Sequence, residues 1–298
     1  MTDQILLGAI EAGGTKFVCG IGYGDGTIVD RVSFPTTTPE ETMKLVGDYF
    51  RSKTVGAMGI GSFGPINPIP GTPDYGCITT TPKPHWSGFN LVGAVRREQD
   101  IPVGFDTDVN GAALGELRWG AAQGLDNCLY ITVGTGIGAG AAVNGGLVHG
   151  LSHPEMGHII VRRHPKDTYE GTCPYHQDCL EGLAAGPAIV KRWGVVNGAD
   201  LPDSHPAWEM EAYYLAQALM NYVLILSPQK IIMGGGVMKQ SQLFPLIQQK
   251  LQDLLNGYVA HPALQGSIGD YIVPPKLGDN AGLAGALALA DAALAVRS

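Results

Sequence analysis

Past the midpoint of the chain, Cys173-Pro174-Tyr175-His176-Gln177-Asp178-Cys179 offers two thiols and an imidazole with two residues between each. That spacing lets one loop close three soft or borderline donors on a single tetrahedral ion. A fourth ligand must come from upstream, where His149, His153, His158 and His164 are all available. Four protein ligands leave no open coordination position, so the ion, expected to be zinc, is structural and stiffens its loop. Glu155, in Pro154-Glu155-Met156-Gly157-His158, and Glu181, just after the second cysteine, stand beside this loop as candidate acceptors for the hydroxyls of a polyol.

A second polar set, Asp106-Thr107-Asp108-Val109-Asn110, follows the apolar Val103-Gly104-Phe105. It falls where a strand runs into a helix, at the carboxyl end where α/β sheets place ligands. One reading is an N-cap, with Asp106, Thr107 or Asp108 accepting from first-turn N–H groups. The other makes one of these residues the base that takes a hydroxyl proton during phosphoryl transfer. Spacing alone leaves both open. Three glycine-rich turns, Gly13-Gly14-Thr15-Lys16, Gly134-Thr135-Gly136-Ile137-Gly138 and Gly234-Gly235-Gly236, can bring backbone N–H groups close to phosphate oxygens with no Cβ in the way. None has the spacing of a P-loop or of the dinucleotide-binding fingerprint, which disfavours a P-loop NTPase or a Rossmann dehydrogenase.

The elements that must carry these groups repeat. Ile5 to Ile10, a glycine bend, Phe17 to Gly22, an Asp25-Gly26 turn and Ile28-Val29 read as strand, loop, strand, hairpin, strand. The arrangement returns at Cys128 to Val133, the second glycine turn, Ala139 to Val143, Asn144-Gly145 and Leu147-Val148. Between the copies the pattern predicts a helix over Glu40 to Ser52, strands at Ala57 to Ile60 and Val103 to Phe105, and a helix from near Val109 through Glu116. A Pro/Gly/Thr-rich stretch covers Gly61 to Gly88, and a polar loop Pro154 to Leu180. Helices are expected over Pro206 to Leu226, from about Ser241, and over Gly282 to Ala290, with a strand at Lys230 to Met233. Alternating strands and helices in two related halves predict an α/β protein of two lobes with a cleft between them.

Composition narrows the function classes. In 298 residues, 45% are hydrophobic, 15% are charged and the formal charge is −8. The 43 glycines are about twice the ordinary share of roughly 7% and fit a chain of tight turns and buried strands. An acidic balance without a Lys/Arg cluster gives no footprint for nucleic acid or an anionic membrane. No basic leader and no uninterrupted apolar run of about 18 residues is present, so a cytoplasmic protein is expected. Five cysteines, an odd number, speak for metal binding rather than a disulfide framework.

In order along the chain, Glu11-Ala12-Gly13-Gly14-Thr15-Lys16, Thr107-Asp108-Val109-Asn110 with Ala112-Ala113-Leu114-Gly115-Glu116, Gly134-Thr135-Gly136-Ile137-Gly138, Glu155-Met156-Gly157-His158, Cys173 to Cys179 with Glu181, Gly234-Gly235-Gly236 and Gly282-Leu283-Ala284-Gly285-Ala286 resemble the ROK family of repressors and sugar kinases. The resemblance covers essentially the full chain. It implies a two-lobed actin-like (ribonuclease H-like) sugar kinase fold with duplicated hairpin-bearing domains, residues 1–116 plus 283–298 forming the smaller lobe and 117–282 the larger, with a zinc loop over 154–181. It implies Asp108 as base, and His158 as the metal ligand beside Cys173, His176 and Cys179. Sugar contacts fall to Glu155, Gly64, Thr107, Asn110 and Glu181. Nucleotide contacts fall to Gly13, Gly14, Thr15, Lys16, Gly134, Thr135, Gly136, Gly234, Gly235 and Gly236, with Pro187 and Lys239 near the adenosine.

The resemblance also implies ATP, Mg²⁺ and structural Zn²⁺ as cofactors, and a homodimer. Glu11 stands where the commonest pattern has Asp, and His176 where it has a second Cys. The latter, with Gly64-Pro65-Ile66 and Lys83-Pro84-His85-Trp86, is similar to the branch of zinc-containing bacterial fructokinases, making fructose the expected acceptor and fructose 6-phosphate the product. Mannose, glucose and N-acetylhexosamines are the runner-up acceptors. A sugar-sensing regulator is the rival class, but strand-like sequence from Ile5 leaves no room ahead of the first glycine turn for a helix-turn-helix.

Overall fold

The strand, loop, strand, turn, strand pattern near the N-terminus forms as β1 (Leu7–Ala12), β2 (Lys16–Gly22) and β3 (Ile28–Pro35) in the computed structural model, which describes residues 5–297. Helix α1 (Pro39–Phe50) follows, with Thr38 Oγ1 accepting from the Glu41 N–H and Pro39 pre-setting the first turn. Then come β4 (Met58–Ser62), α2 (Leu91–Glu98), β5 (Val103–Thr107) and α3 (Asp108–Trp119). β1 pairs antiparallel with β2 and parallel with β4, which pairs parallel with β5, giving the order β3-β2-β1-β4-β5.

The second copy is β6 (Cys128–Val133), β7 (Ile137–Val143) and β8 (Gly146–Leu147). After the polar loop come α4 (Leu180–Ala184), α5 (Gly186–Trp193), α6 (Pro206–Leu226), β9 (Lys230–Gly234), α7 (Leu243–Leu255), α8 (Pro262–Gln265), α9 (Ile268–Tyr271), β10 (Ile272–Val273) and α10 (Ala281–Arg297). β6 pairs antiparallel with β7 and parallel with β9, in the order β10-β9-β6-β7-β8. The backbone divides into one unit of Met1–Gly124, Gly146–Pro154 and Lys276–Ser298, and another of Leu125–Gly145 and Glu155–Pro275.

In the first unit β1 and β4, inside the sheet, are buried on both faces, which is why they read as continuous apolar runs. One face packs Ile10, Phe17 and Ile60 with Phe50 of α1 and Trp86 of the long loop. Against the other lies α10, whose Leu283, Ala286, Leu287 and Ala290 meet Leu7, Ala9 and Val18. By length and composition α10 could cross a membrane, yet half of its apolar window is buried, and it serves as a core helix. Glycine makes its approach possible. A Cβ on Gly59 would lie 1.8 Å from the Ala286 carbonyl oxygen, and one on Gly285 would lie 1.9 Å from that of Gly111 in α3.

Some boundaries differ from the sequence pattern. α3 begins at Asp108 rather than Val109, because Thr107 takes the cap. α2 has only eight residues with a glycine inside, too short to show a helical period. α10 runs on to Arg297 beyond the expected Ala290. Gly59→Ala should overpack the α10 contact and lower unfolding free energy by about 1–3 kcal/mol. Urea denaturation of the variant checks this.

Candidate functional site

Parallel strands put their carboxyl ends on one edge, and in the first unit three of them do so in register. Ala12 of β1 pairs with Ser62 of β4, and Ser62 with Thr107 of β5. The Gly13 turn, the loop through Gly64 and the start of α3 therefore leave the sheet on the same side. At Gly13 the N–H donates to the Lys16 carbonyl (3.0 Å) and the carbonyl accepts from Thr36 Oγ1 (2.6 Å), while Thr15 and Lys16 are exposed. Just before this turn, burial pushes the Glu11 carboxyl upward, opposed by Lys16 and assisted by Asp279. A Cβ on Gly282 would lie 2.4 Å from that carboxyl carbon, so glycine there makes room for the longer acid.

The three polar candidates before α3 separate cleanly. Thr107 is the N-cap, its Oγ1 accepting from the Asn110 N–H at 3.0 Å. Asp108 is the first helical residue, half-buried, with Oδ1 accepting from the Val109 N–H at 2.9 Å. Asp106 is only 3% exposed. Its Oδ1 accepts from the Thr107 N–H and from Asn110 Nδ2, both at 2.8 Å, and its Oδ2 lies 2.8 Å from His149 Nε2. The bond to Asp106 raises the pKa of His149 above the usual imidazole value, against the opposing effect of burial. Gly64 enters a cis peptide with Pro65, and the next residue, Ile66, donates its N–H to His153 Nε2 at 3.0 Å.

The second unit has its own edge, where Thr132 of β6 pairs with Gly234 of β9. Gly134 closes a turn by donating to the Gly136 carbonyl (2.9 Å), and the Gly186 N–H donates to the Gly134 carbonyl (2.8 Å). That bond brings the first turn of α5, with Pro187, against the hairpin. Thr135 is exposed at the tip. Gly235 has φ +92°, and a Cβ there would sit 2.4 Å from the Val133 carbonyl oxygen, so only glycine fits. Gly236 and Lys239 follow at the surface. Glu181, in the first turn of α4, accepts from the Ile137 N–H at 3.0 Å and so braces the hairpin. Glu155 is exposed at the start of a single 3-10 turn, Met156–His158.

Of the four upstream histidines, His158 is the one that joins the cysteines. Its Nδ1 lies 3.4 Å from Cys179 Sγ and 3.7 Å from Cys173 Sγ, and His176 Nδ1 is 3.8 Å from Cys173 Sγ. All four ligand atoms fall within 4.8 Å of one another, a set able to hold one metal ion. The five cysteines form no disulfide, and burial pushes the Cys179 thiol up to about 11. Nearby, Asp167 anchors the loop. Its carboxylate accepts from Tyr214 Oη (2.6 Å) and pairs with the buried Arg192 at 3.0 Å. Burial works to raise the Asp167 pKa, but these bonds outweigh it and hold the carboxyl below its usual range.

Asp106, His149 and His153 are the residues whose roles the sequence hid. Asp106 reads equally well as a cap, and the two histidines as metal donors. The remaining upstream histidine, His164, accepts from the Lys166 N–H through Nδ1.

The family model of the ROK family matches residues 7–293. A Bacillus subtilis (strain 168) protein is 58% identical over 289 residues, covering 97% of this chain and 96% of its own length. The fructokinase of Pediococcus pentosaceus is 51% identical over 290 residues, covering 97% and 99%. Among solved structures, a ROK family glucokinase from Streptomyces griseus in complex with glucose and AMPPNP aligns with a TM-score of 0.77 at 25% identity, over 96% of this chain and 99% of that one.

The raised pKa of His149 makes its charge pair with Asp106 a stabilising contact that is complete below about pH 6.5, the ordinary imidazole value. The contribution declines as pH rises through the higher folded-state value. His149→Gln, which keeps an N–H donor but loses the charge, should therefore fall furthest below wild type in acid. Chemical denaturation across pH 5.5–9, as an order-of-magnitude window, reads this.

Proposed function

The chain belongs to the ROK family, and from that premise we propose that it transfers the γ-phosphoryl group of Mg-ATP to D-fructose, giving fructose 6-phosphate and ADP. The observation that carries the reading is Asp108. It is a half-buried carboxylate at the head of α3, on the strand-end edge shared with the Gly13 turn and the Gly64 loop. The extensive identity to a fructokinase supports fructose as acceptor.

In this reading Asp108 accepts the proton of the C6 hydroxyl as that oxygen attacks phosphorus. The Val109 N–H on Oδ1 fixes the carboxylate plane. The resemblance assigns the other hydroxyls to Thr107, Asn110, Gly64, Glu155 and Glu181. Gly13 and Gly134 spend their N–H groups closing their own turns. The donors assigned to phosphate oxygens are accordingly those of Gly14, Thr15, Thr135 and Gly136, with the Lys16 ammonium beside the first pair and Gly234, Gly235 and Gly236 shaping the wall. Pro187 and Lys239 border the adenosine. Most of the acceleration comes from positioning and from fixed N–H dipoles, with the base adding about 10²–10⁴-fold. Mg²⁺, when bound, would neutralise charge on the phosphates, and the Glu11 carboxyl just before the Gly13 turn is an oxygen donor of the kind it prefers.

We assign zinc to the Cys/His cluster. Tetrahedral coordination at ordinary zinc distances separates a sulfur from a nitrogen ligand by about 3.6 Å, and the three measured separations are 3.4, 3.7 and 3.8 Å. His158, Cys173, His176 and Cys179 would hold the ion, which would tie residue 158 to residues 173–179, the stretch flanked by Glu155 and Glu181. Unpaired cysteines suit a reducing cytoplasm, and the homodimer expected from the resemblance is readable by sedimentation.

ADP release from Mg-ATP with fructose, mannose, glucose, N-acetylmannosamine or no sugar tests the reading. Fructose should dominate, and Asp108→Ala should lower kcat by about 10²–10⁴-fold while fructose still binds. Wild-type turnover in that variant would remove Asp108 from its role. Elemental analysis should find stoichiometric zinc that is lost in Cys179→Ser, with the fructose KM raised in the zinc-free protein. Zinc-free wild-type protein with an unchanged KM would detach the metal from the sugar site.

A further inference from the structure

Five residues, His149-Gly150-Leu151-Ser152-His153, return from the second hairpin through the first unit. They carry little apolar packing. Leu151 is fully exposed, and the Gly150 N–H donates to the Ser152 carbonyl at 2.8 Å to turn the chain. What the segment does make is polar contact with the two elements placed on the sugar side of this unit. His149 Nε2 meets Asp106 Oδ2, whose other oxygen holds the Asn110 amide and the Thr107 N–H. Ser152 Oγ donates to the Ile66 carbonyl (3.2 Å), and His153 Nε2 accepts from the Ile66 N–H.

The tautomer of His153 follows from its partner. A backbone N–H only donates, so Nε2 carries a lone pair, and Nδ1, 3.3 Å from the Pro154 carbonyl, carries the proton. At His149 the roles reverse: an acidic acceptor faces Nε2, which must donate. The two rings thus present one donor and one acceptor, each matched to a different loop. A Cβ on Gly64 would lie 3.4 Å from His153 Cε1, so that ring also borders the glycine assigned to the sugar.

The geometry points to His149 and His153 as positioning residues for the acceptor sugar. His149, through Asp106, sets the Asn110 amide and the cap of the helix that carries Asp108. His153 sets the Gly64 loop. Neither ring touches the reacting atoms in this account, and the inference rests on the sugar kinase reading above. Removing a ring should lower sugar affinity, by releasing the Asn110 amide and the α3 cap in one case and the Gly64 loop in the other.

Each histidine is replaced by Leu, which can neither donate nor accept, and by Gln. Gln at position 149 offers an N–H to Asp106, and at position 153 a carbonyl oxygen to Ile66. Both Leu variants should raise the fructose KM about tenfold, the scale of one lost hydrogen bond involving a charged or buried partner. Their ATP KM should stay near wild type, the thermal midpoint should fall with His149→Leu, which leaves a buried carboxylate oxygen without its donor, and the Gln variants should keep the fructose KM within about threefold. Leu variants with a wild-type fructose KM would overturn the proposal. So would Gln variants as impaired as Leu, or a loss confined to kcat and melting temperature. Should wild-type protein release no ADP with fructose, the kinase reading itself fails. The histidines are then judged on fructose Kd by calorimetry, where an unchanged or undetectable Kd overturns the proposal.

Discussion

A carboxylate withdrawn from water must be met by donors, and Asp106 is where this chain meets that demand. Its two oxygens are shared among a backbone N–H, the Asn110 amide and the His149 imidazole. The arrangement has local consequences. With Asp106 engaged backwards, capping falls to Thr107, and Asp108 becomes the first residue of α3. Were Asp106 not held in this way, three adjacent polar residues would compete for one cap and Asp108 would have no fixed place at the head of α3.

The second unit solves a different problem. Its polar stretch from Glu155 to α4 contains a single 3-10 turn, Met156–His158, so regular structure does little to order it. Polar groups converge on it instead: the Asp167–Arg192–Tyr214 cluster and, bracketing Asp167 in sequence, His158 with Cys173, His176 and Cys179, a set able to hold one metal ion. Both lie within the second unit, where Glu181 braces the glycine hairpin through the Ile137 N–H.

What was legible in the sequence is what is local. Apolar runs broken by glycine turns announced both hairpins, and the two-residue spacing of Cys173, His176 and Cys179 announced a chelating loop. Three neighbours able to cap could not be ranked, because the deciding bond to Asp106 comes from His149, 43 positions away. His153 was unreadable for the same reason, its partner Ile66 lying 87 positions back. α2 escaped notice because eight residues are barely two helical turns. That residues 283–298 join residues 1–116 was implied by the resemblance alone, because a glycine such as Gly59 gives no local sign of it: its missing side chain matters only against a helix from the far end of the chain.

The central claim is that the carboxylate and glycine turns described here serve phosphoryl transfer to a primary sugar hydroxyl. Phosphorus NMR of the protein with Mg-ATP and fructose tests it most directly. The account predicts a phosphomonoester signal split by the two C6 protons, growing in step with ADP. Inorganic phosphate in its place, or ATP left intact in protein that has its zinc, would contradict it.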